Sequence, residues 1–192
     1  ITTRLVGSEM CIRDRVITTY TYESEKLGAD LDGYRIVQIS DLHNAEFGKE
    51  NKKLLETIRS CSPDIIVITG DLVDSNHTNV ERAVAFVKEA VKIAPVYYVT
   101  GNHEYWLEPS ENEQMMQGIL AAGACDLDDE AVCIEKGDSS FMLAGLDDQH
   151  LSDETLKNLL QEQKNELSIV LAHEPQYLQT VSYTHLRAHE TR

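Results

Sequence analysis

The sequence contains no apolar run of the roughly 18 residues that a membrane-spanning helix needs. Its four cysteines, Cys11, Cys61, Cys125 and Cys133, form no CxxC pair and no zinc-ribbon spacing. Free structural thiols are therefore expected. There is no internal repeat and no low-complexity stretch. No signal-peptide pattern is visible, an absence of little weight because the first residues read as foreign. Cations are scarce, with 17 Lys and Arg against 33 Asp and Glu and a net charge of −16. A field of that sign repels polyphosphate backbones, so a general nucleic-acid binder is not expected. If the substrate is a phosphate ester, bound metal must supply the positive charge.

What remains is ordinary globular material. The chain has 192 residues, 42% hydrophobic and 26% charged, enough for one well-buried domain. Its two ends do not match the middle. LVGSEMCIRDR near the start and VSYTHLRAHETR at the finish show no clean period of 2 or 3.6. Both resemble translated sequencing-adapter read-through. The expectation is a genuine domain over 16–181, incomplete at its C-terminus, with 1–15 and 182–192 extraneous.

Between the ends, strand and helix patterns alternate at intervals of about 30 residues, the βαβ rhythm of a largely parallel sheet. VITTYTYES reads as an edge strand. YRIVQIS (34–40), DIIVITG (64–70), PVYYVTG (95–101) and LSIVLA (167–172) are apolar enough to be strands buried on both faces. A helix over 49–61 places Leu54, Leu55 and Ile58 on one face. A capping box of Thr78 and Glu81 opens a second, with Val80, Ala83, Val84, Val87 and Val91 inward. Ser110 and Glu113 repeat the box before Met115, Met116, Ile119 and Leu120. AVCIEKG and SFMLAGLDD form a hairpin around Gly137-Asp138, and Ser152 caps a helix carrying Leu156, Leu159 and Leu160.

Parallel sheets place ligands beyond the carboxyl ends of their strands. The first buried strand ends in Asp41-Leu42-His43, the second in Gly70-Asp71-Leu72-Val73-Asp74. The third ends in Gly101-Asn102-His103-Glu104, and the late one in His173-Glu174-Pro175. Each alone has a bland reading, since Asp after a strand is commonly a turn residue and Gly-Asn a turn dipeptide. Four in order, each closing a buried strand, point to a metal site. Alternate residues of an extended segment face the same way, so Asp41 and His43 can reach one ion.

These motifs resemble the calcineurin-like metallophosphoesterases, whose pattern is D-x-H, G-D-x-x-D, G-N-H-[DE], a later H, then G-H-x-H. The similarity spans Tyr34 to Pro175 and matches the first three motifs in full. It implies an α/β fold built as a β-sandwich flanked by helices. It also implies two divalent metal ions (Mn, Fe or Zn). Asp41 and His43 would bind one, Asn102 and His173 the other, and Asp71 would bridge both. His103 would be the catalytic general acid, oriented by a hydrogen bond to Asp74. A metal-bridging hydroxide would attack phosphomonoesters or phosphodiesters, with two cations roughly 3.5–4 Å apart clamping the phosphoryl oxygens. Mixed oxygen and nitrogen ligands without thiolate suit these metals.

One departure stands out. No G-H-x-H follows His173. His185 and His189 lie four apart inside the adapter-like string and are read as chance histidines. A chain short of one ligand per ion should bind metal weakly and hydrolyse slowly or not at all. His77 and His150 are uncommitted, and Asp147 and Asp148 could reach the cleft or simply turn the chain. The substrate would be a small or lipid-linked phosphate ester. The IVQISDLH context resembles bacterial members that sit behind a membrane anchor or export signal. The competing expectation is a non-catalytic scaffold on the same fold, although scaffolds would be expected to lose ligands.

Overall fold

A computed structural model describes residues 2–7, 16–24, 27–150, 152–160 and 167–174. Its larger sheet has six strands: β1 (Thr2–Gly7), β2 (Val16–Thr21), β3 (Arg35–Ile39), β4 (Ile65–Thr69), β5 (Val96–Val99) and β6 (Cys125–Asp126). They lie in the order β2-β1-β3-β4-β5-β6. All neighbours are parallel except the β1–β2 pair. The smaller sheet holds the hairpin β7 (Ala131–Lys136) and β8 (Ser139–Gly145), with β9 (Ser168–Leu171) parallel to β8.

Period-2 alternation explains the layering. Ile36, Ile65 and Val67 share a core with Ile134, Phe141 and Ile169 of the smaller sheet. Ile39, Ile66 and Ile68 point the other way, into a core with Ile58, Phe86 and Ile119 from the helices. Those helices are α1 (Lys52–Ser60), α2 (Val80–Ala90) and α4 (Pro109–Ala122); α3 (Asn102–Tyr105) and α5 (Asp153–Leu160) complete the set. Central strands buried on both faces are what continuous apolar runs predict. Each fully buried Ile, Val or Phe contributes about 1.5–3 kcal/mol relative to exposure.

The structure is therefore the expected α/β sandwich with helices outside, and it corrects several details. LSIVLA lies in the smaller sheet rather than the large parallel one. No element was expected before Val16, yet Thr2–Gly7 pairs with both β2 and β3. β2 is the edge strand, as expected, and every residue of it is exposed. Neither proposed capping box forms. Asn79 caps α2 by accepting from the Arg82 N–H, while the Thr78 hydroxyl donates to the Asp74 carbonyl. Pro109 opens α4 at its first position, where a missing N–H costs nothing. That shift leaves Leu120 exposed, with Met115 and Ile119 buried. Ser152 does cap α5, accepting from the Thr155 N–H at 3.1 Å. Cys61, Cys125 and Cys133 are free thiols; Cys11 lies outside the described residues.

Candidate metal centre

Three neighbouring parallel strands, β3, β4 and β5, release their chains side by side at one edge of the sheet. The loops that follow stay in contact. Backbone N–H groups of Asp41, His43 and Asn44 donate to the carbonyls of Gly70, Asp71 and Leu72. Asp41, His43 and Asp71 all sit at positive φ (54°, 44° and 54°), a conformation few non-glycine residues adopt. Such strain persists only where surroundings over-determine it.

The surroundings do so through closely approaching backbones and one carboxylate. A Cβ on Gly70 would lie 2.6 Å from the Gly101 Cα and 2.8 Å from the His173 Nδ1. A Cβ on Gly101 would meet the Asp71 Oδ1 at 2.5 Å. Only glycine lets these loops touch. Glu104 is fully buried and accepts from four backbone N–H groups of both loops. These are Asp71 and Leu72 at 2.8 Å, Gly101 at 2.9 Å and Val73 at 3.4 Å. Burial and the Asp71 charge push this carboxyl up to about 7, against the pull of those N–H donors.

Asp71 is the hub. Its carboxylate belongs to two clusters whose ligand atoms lie within 4.8 Å of one another: Asp41, Asp71 and His173, and His43, Asp71 and His103. The His43 Nε2 is 3.7 Å from Asp41 and 3.5 Å from Asp71, and the His173 Nε2 is 3.4 Å from Asp71. The other ring nitrogen of His173 donates to the Thr69 carbonyl at 2.9 Å, which turns Nε2 to the hub. The Asn102 Oδ1 is buried with no hydrogen-bond partner. An orphaned buried amide oxygen, on the residue between Gly101 and His103, is what a divalent cation would satisfy, and the donor set fits one.

The expected role of Asp74 is not what the geometry gives. Its carboxylate is 3.9 Å from the His103 Nδ1, beyond hydrogen-bond reach. The Asp74 Oδ1 instead accepts from the Asn76 N–H at 2.8 Å. Its place on the ring is taken by the Ser75 N–H, which donates to Nδ1 at 3.1 Å. Nδ1 is then an acceptor, so the ring proton sits on Nε2. Asp147 accepts from the Tyr105 hydroxyl at 2.5 Å and ties β8 to α3. The Asp148 Oδ1 is buried without a hydrogen-bond partner; burial raises its carboxyl, while His173 draws it down. His77 stands 89% exposed, a solvated loop residue. The His150 side chain, His185 and His189 lie outside the described residues.

Sequence reasoning quoted Glu104 within its motif but gave it no role, and it passed over Ser75 and Asn44. The Asn44 side chain accepts from the N–H groups of Asp74 and Asn79 and donates to the Asn79 carbonyl, tying two loops together. Only Glu104 carried a signal, as a carboxylate three residues after the glycine that opens a helix.

The family model for calcineurin-like phosphoesterases matches residues 34–190. The chain is 26% identical over 153 residues to the uncharacterized metallophosphoesterase YkoQ of Bacillus subtilis, covering 78% of this chain and 56% of that protein. It is 29% identical over 161 residues to a transmembrane protein with metallophosphoesterase domain from Bos taurus, covering 75% and 34%. It is 37% identical over 92 residues to the UDP-2,3-diacylglucosamine pyrophosphatase LpxG of Chlamydia trachomatis, covering 46% and 28%. Matches to the first two thus span about half or less of those relatives' own lengths. Among solved structures, TT1561 of Thermus thermophilus aligns with a TM-score of 0.51 at 14% identity, over 70% of this chain and 65% of that one. That likeness concerns the fold alone.

Proposed function

Because the chain belongs to the calcineurin-like phosphoesterase family, we propose that it hydrolyses phosphomonoesters or phosphodiesters at a centre of two divalent cations. Asp41 and His43 would hold one, Asn102 and His173 the other, and Asp71 both. The observation that supports this reading is the Asp71 carboxylate common to two groupings of ligand atoms; these set Asp41 with His173 and His43 with His103, while the His43 Nε2 also lies 3.7 Å from Asp41. When bound, the cations would supply Lewis-acid charge for the phosphoryl oxygens and acidify the attacking water.

The chain's own groups do the rest. Asp71, 4% exposed, offers its charge from a site that Glu104 and the two glycines hold rigid. Thr69 fixes the His173 ring, so Nε2 is presented without a search of rotamers. His103 presents its Nε2–H to the leaving-group oxygen. There it would serve as the general acid for the departing oxygen.

The likeness to LpxG supports a lipid-linked pyrophosphate as one substrate to try. A membrane-anchored or exported setting belongs to the same proposal. No helix among the described residues is long and apolar enough to cross a membrane. The test is metal content together with hydrolysis of p-nitrophenyl phosphate and its bis-ester, with Mn²⁺ and with EDTA. Mn²⁺-dependent turnover, abolished by EDTA, is expected. Neither uptake nor turnover in a folded protein would sink the proposal and promote the scaffold reading.

A further inference from the structure

Trp106 is the sole tryptophan of the chain, and it stands 63% exposed just after α3. Its ring centroid lies 4.9 Å from that of His103, at a tilt of 48°. His103 in turn meets His43 edge to face, 4.5 Å away. One imidazole therefore connects the candidate metal cluster to an open indole. Backbone geometry fixes this arrangement. The Trp106 N–H donates to the His103 carbonyl and closes the turn that begins at Asn102. The next residue, Leu107, turns inward and is buried.

We infer that Trp106 is the platform on which the substrate's leaving group rests, and that it favours phosphoesters whose leaving group is a planar aromatic ring. The inference rests on the phosphoesterase reading. In that reading His103 hydrogen-bonds the leaving-group oxygen, so the atoms beyond that oxygen come within van der Waals reach of the indole. Among the described residues, Trp106 is the exposed large apolar side chain in ring contact with His103. The other exposed large apolar side chains among the described residues are Val16, Ile17 and Tyr20 on the edge strand β2, and Leu120 on α4. Leu120 lies roughly 16 Å along the helix from Pro109. An acyl chain needs a contiguous apolar strip; a ring needs only a second ring. Stacking a ring on an aromatic side chain is worth about 5- to 100-fold in affinity.

The single tryptophan makes the test direct. The Zn²⁺-loaded full chain is titrated with phenylphosphonate, methylphosphonate and hexylphosphonate, none of which can be cleaved. Binding is followed by Trp106 emission and by calorimetry. Phenylphosphonate should bind about 5- to 100-fold more tightly than methylphosphonate and shift the emission. Trp106→Ala should collapse that preference to within about twofold by calorimetry, with Trp106→Phe keeping part of it. Zn²⁺ content and far-UV circular dichroism establish that each variant is folded and loaded. Equal affinities, or a preference that survives Trp106→Ala, would overturn the platform and leave the phosphoesterase reading standing. A preference for hexylphosphonate that Trp106→Ala abolishes would overturn the planar specificity and assign an alkyl chain instead. If no phosphonate binds the Zn²⁺-loaded chain, the phosphoesterase reading fails and the platform fails with it.

Discussion

Two of the turns built on a glycine at positive φ, at Gly137 and Gly70, are held to different degrees by distant groups. Gly137 (φ 60°) turns the β7–β8 hairpin, whose strands pair directly on either side from Lys136 and Ser139 onward. Gly70 (φ 83°) ends β4 and leads into Asp71, itself left-handed, with no partner strand returning beside it. The hairpin turn rests on the pairing of its own flanking strands, with one exposed carboxylate, Asp30, accepting at its tip. The Gly70-Asp71 loop takes its shape from Glu104, more than thirty residues further along the chain. A local turn can form wherever its strands form. A loop shaped by a distant buried carboxylate forms only when the whole sheet edge is assembled, which suits a candidate site whose residues follow four strands.

Removing the distant carboxylate is the strongest way to break this contrast. Glu104→Ala strands four buried N–H donors, each costing about 1–3 kcal/mol when unsatisfied, with entering water offsetting part. A loss of about 3–5 kcal/mol in urea unfolding is expected, together with most metal uptake. If stability falls by less than about 1 kcal/mol and metal uptake persists, Glu104 is not what shapes the loop.

Next in size is the contrast inside the site. Asp71→Asn removes the charge common to both clusters, so metal affinity should fall beyond the roughly 10- to 100-fold expected for an outer partner. His103→Ala should leave metal content in place while hydrolysis drops. Equal loss of metal in both variants, by mass spectrometry of the dialysed proteins, would make His103 a ligand rather than a proton donor.

The same contrast explains what could be read in the sequence. The buried strands over 34–40, 64–70 and 95–101 and the hairpin are local patterns, and they stand where expected, whereas LSIVLA forms its strand in the smaller sheet. The meeting of Asp41, His43, Asp71 and His103 follows from the ends of β3, β4 and β5 lying side by side, with His173 added from the smaller sheet. What went unread was set by partners distant in sequence or by competition over single positions. The Ser75 N–H displaced Asp74 from His103 through the trajectory of a loop, which carries no residue code. Asn79 took the α2 cap from Thr78 because the Thr78 hydroxyl turned back to the Asp74 carbonyl. Trp106 had no signal at all, because exposure of a lone aromatic is a property of the assembled surface.

A pH series sharpens the comparison from the side of the histidines. The Asp41 carboxylate beside it raises the His43 ring, against the cost of burial. Burial lowers His173, but the Asp71 hydrogen bond and charge outweigh it and carry the ring up to about 10. Groups raised in the fold stabilise it fully below their unfolded value of about 6.5 and lose that contribution as pH rises through the folded value. The metal-free chain should therefore lose melting temperature between pH 6.5 and about 10. Metal must displace those protons, so the gain in melting temperature on adding Zn²⁺ should grow over the same interval. A gain independent of pH would remove both histidines from the ligand set.

The smallest effect is expected at the hairpin. Asp30 is exposed, and its Oδ2 accepts from the Asp138 N–H at 2.9 Å and the Ser139 hydroxyl at 3.4 Å. In Asp30→Ala, water can replace the lost acceptor for both donors. The Lys136–Ser139 pairing beside the turn does not involve the carboxylate. The loss in urea unfolding should be about 0.5–1.5 kcal/mol, one ordinary hydrogen bond. Metal uptake should not change, because no contact of Asp30 reaches the loops after β3, β4 or β5 through the backbone donors that shape them. Loss of metal in Asp30→Ala, or a cost comparable to that of Glu104→Ala, would show that the hairpin turn too depends on the assembled sheet edge, and the division between a local and a borrowed turn would fall.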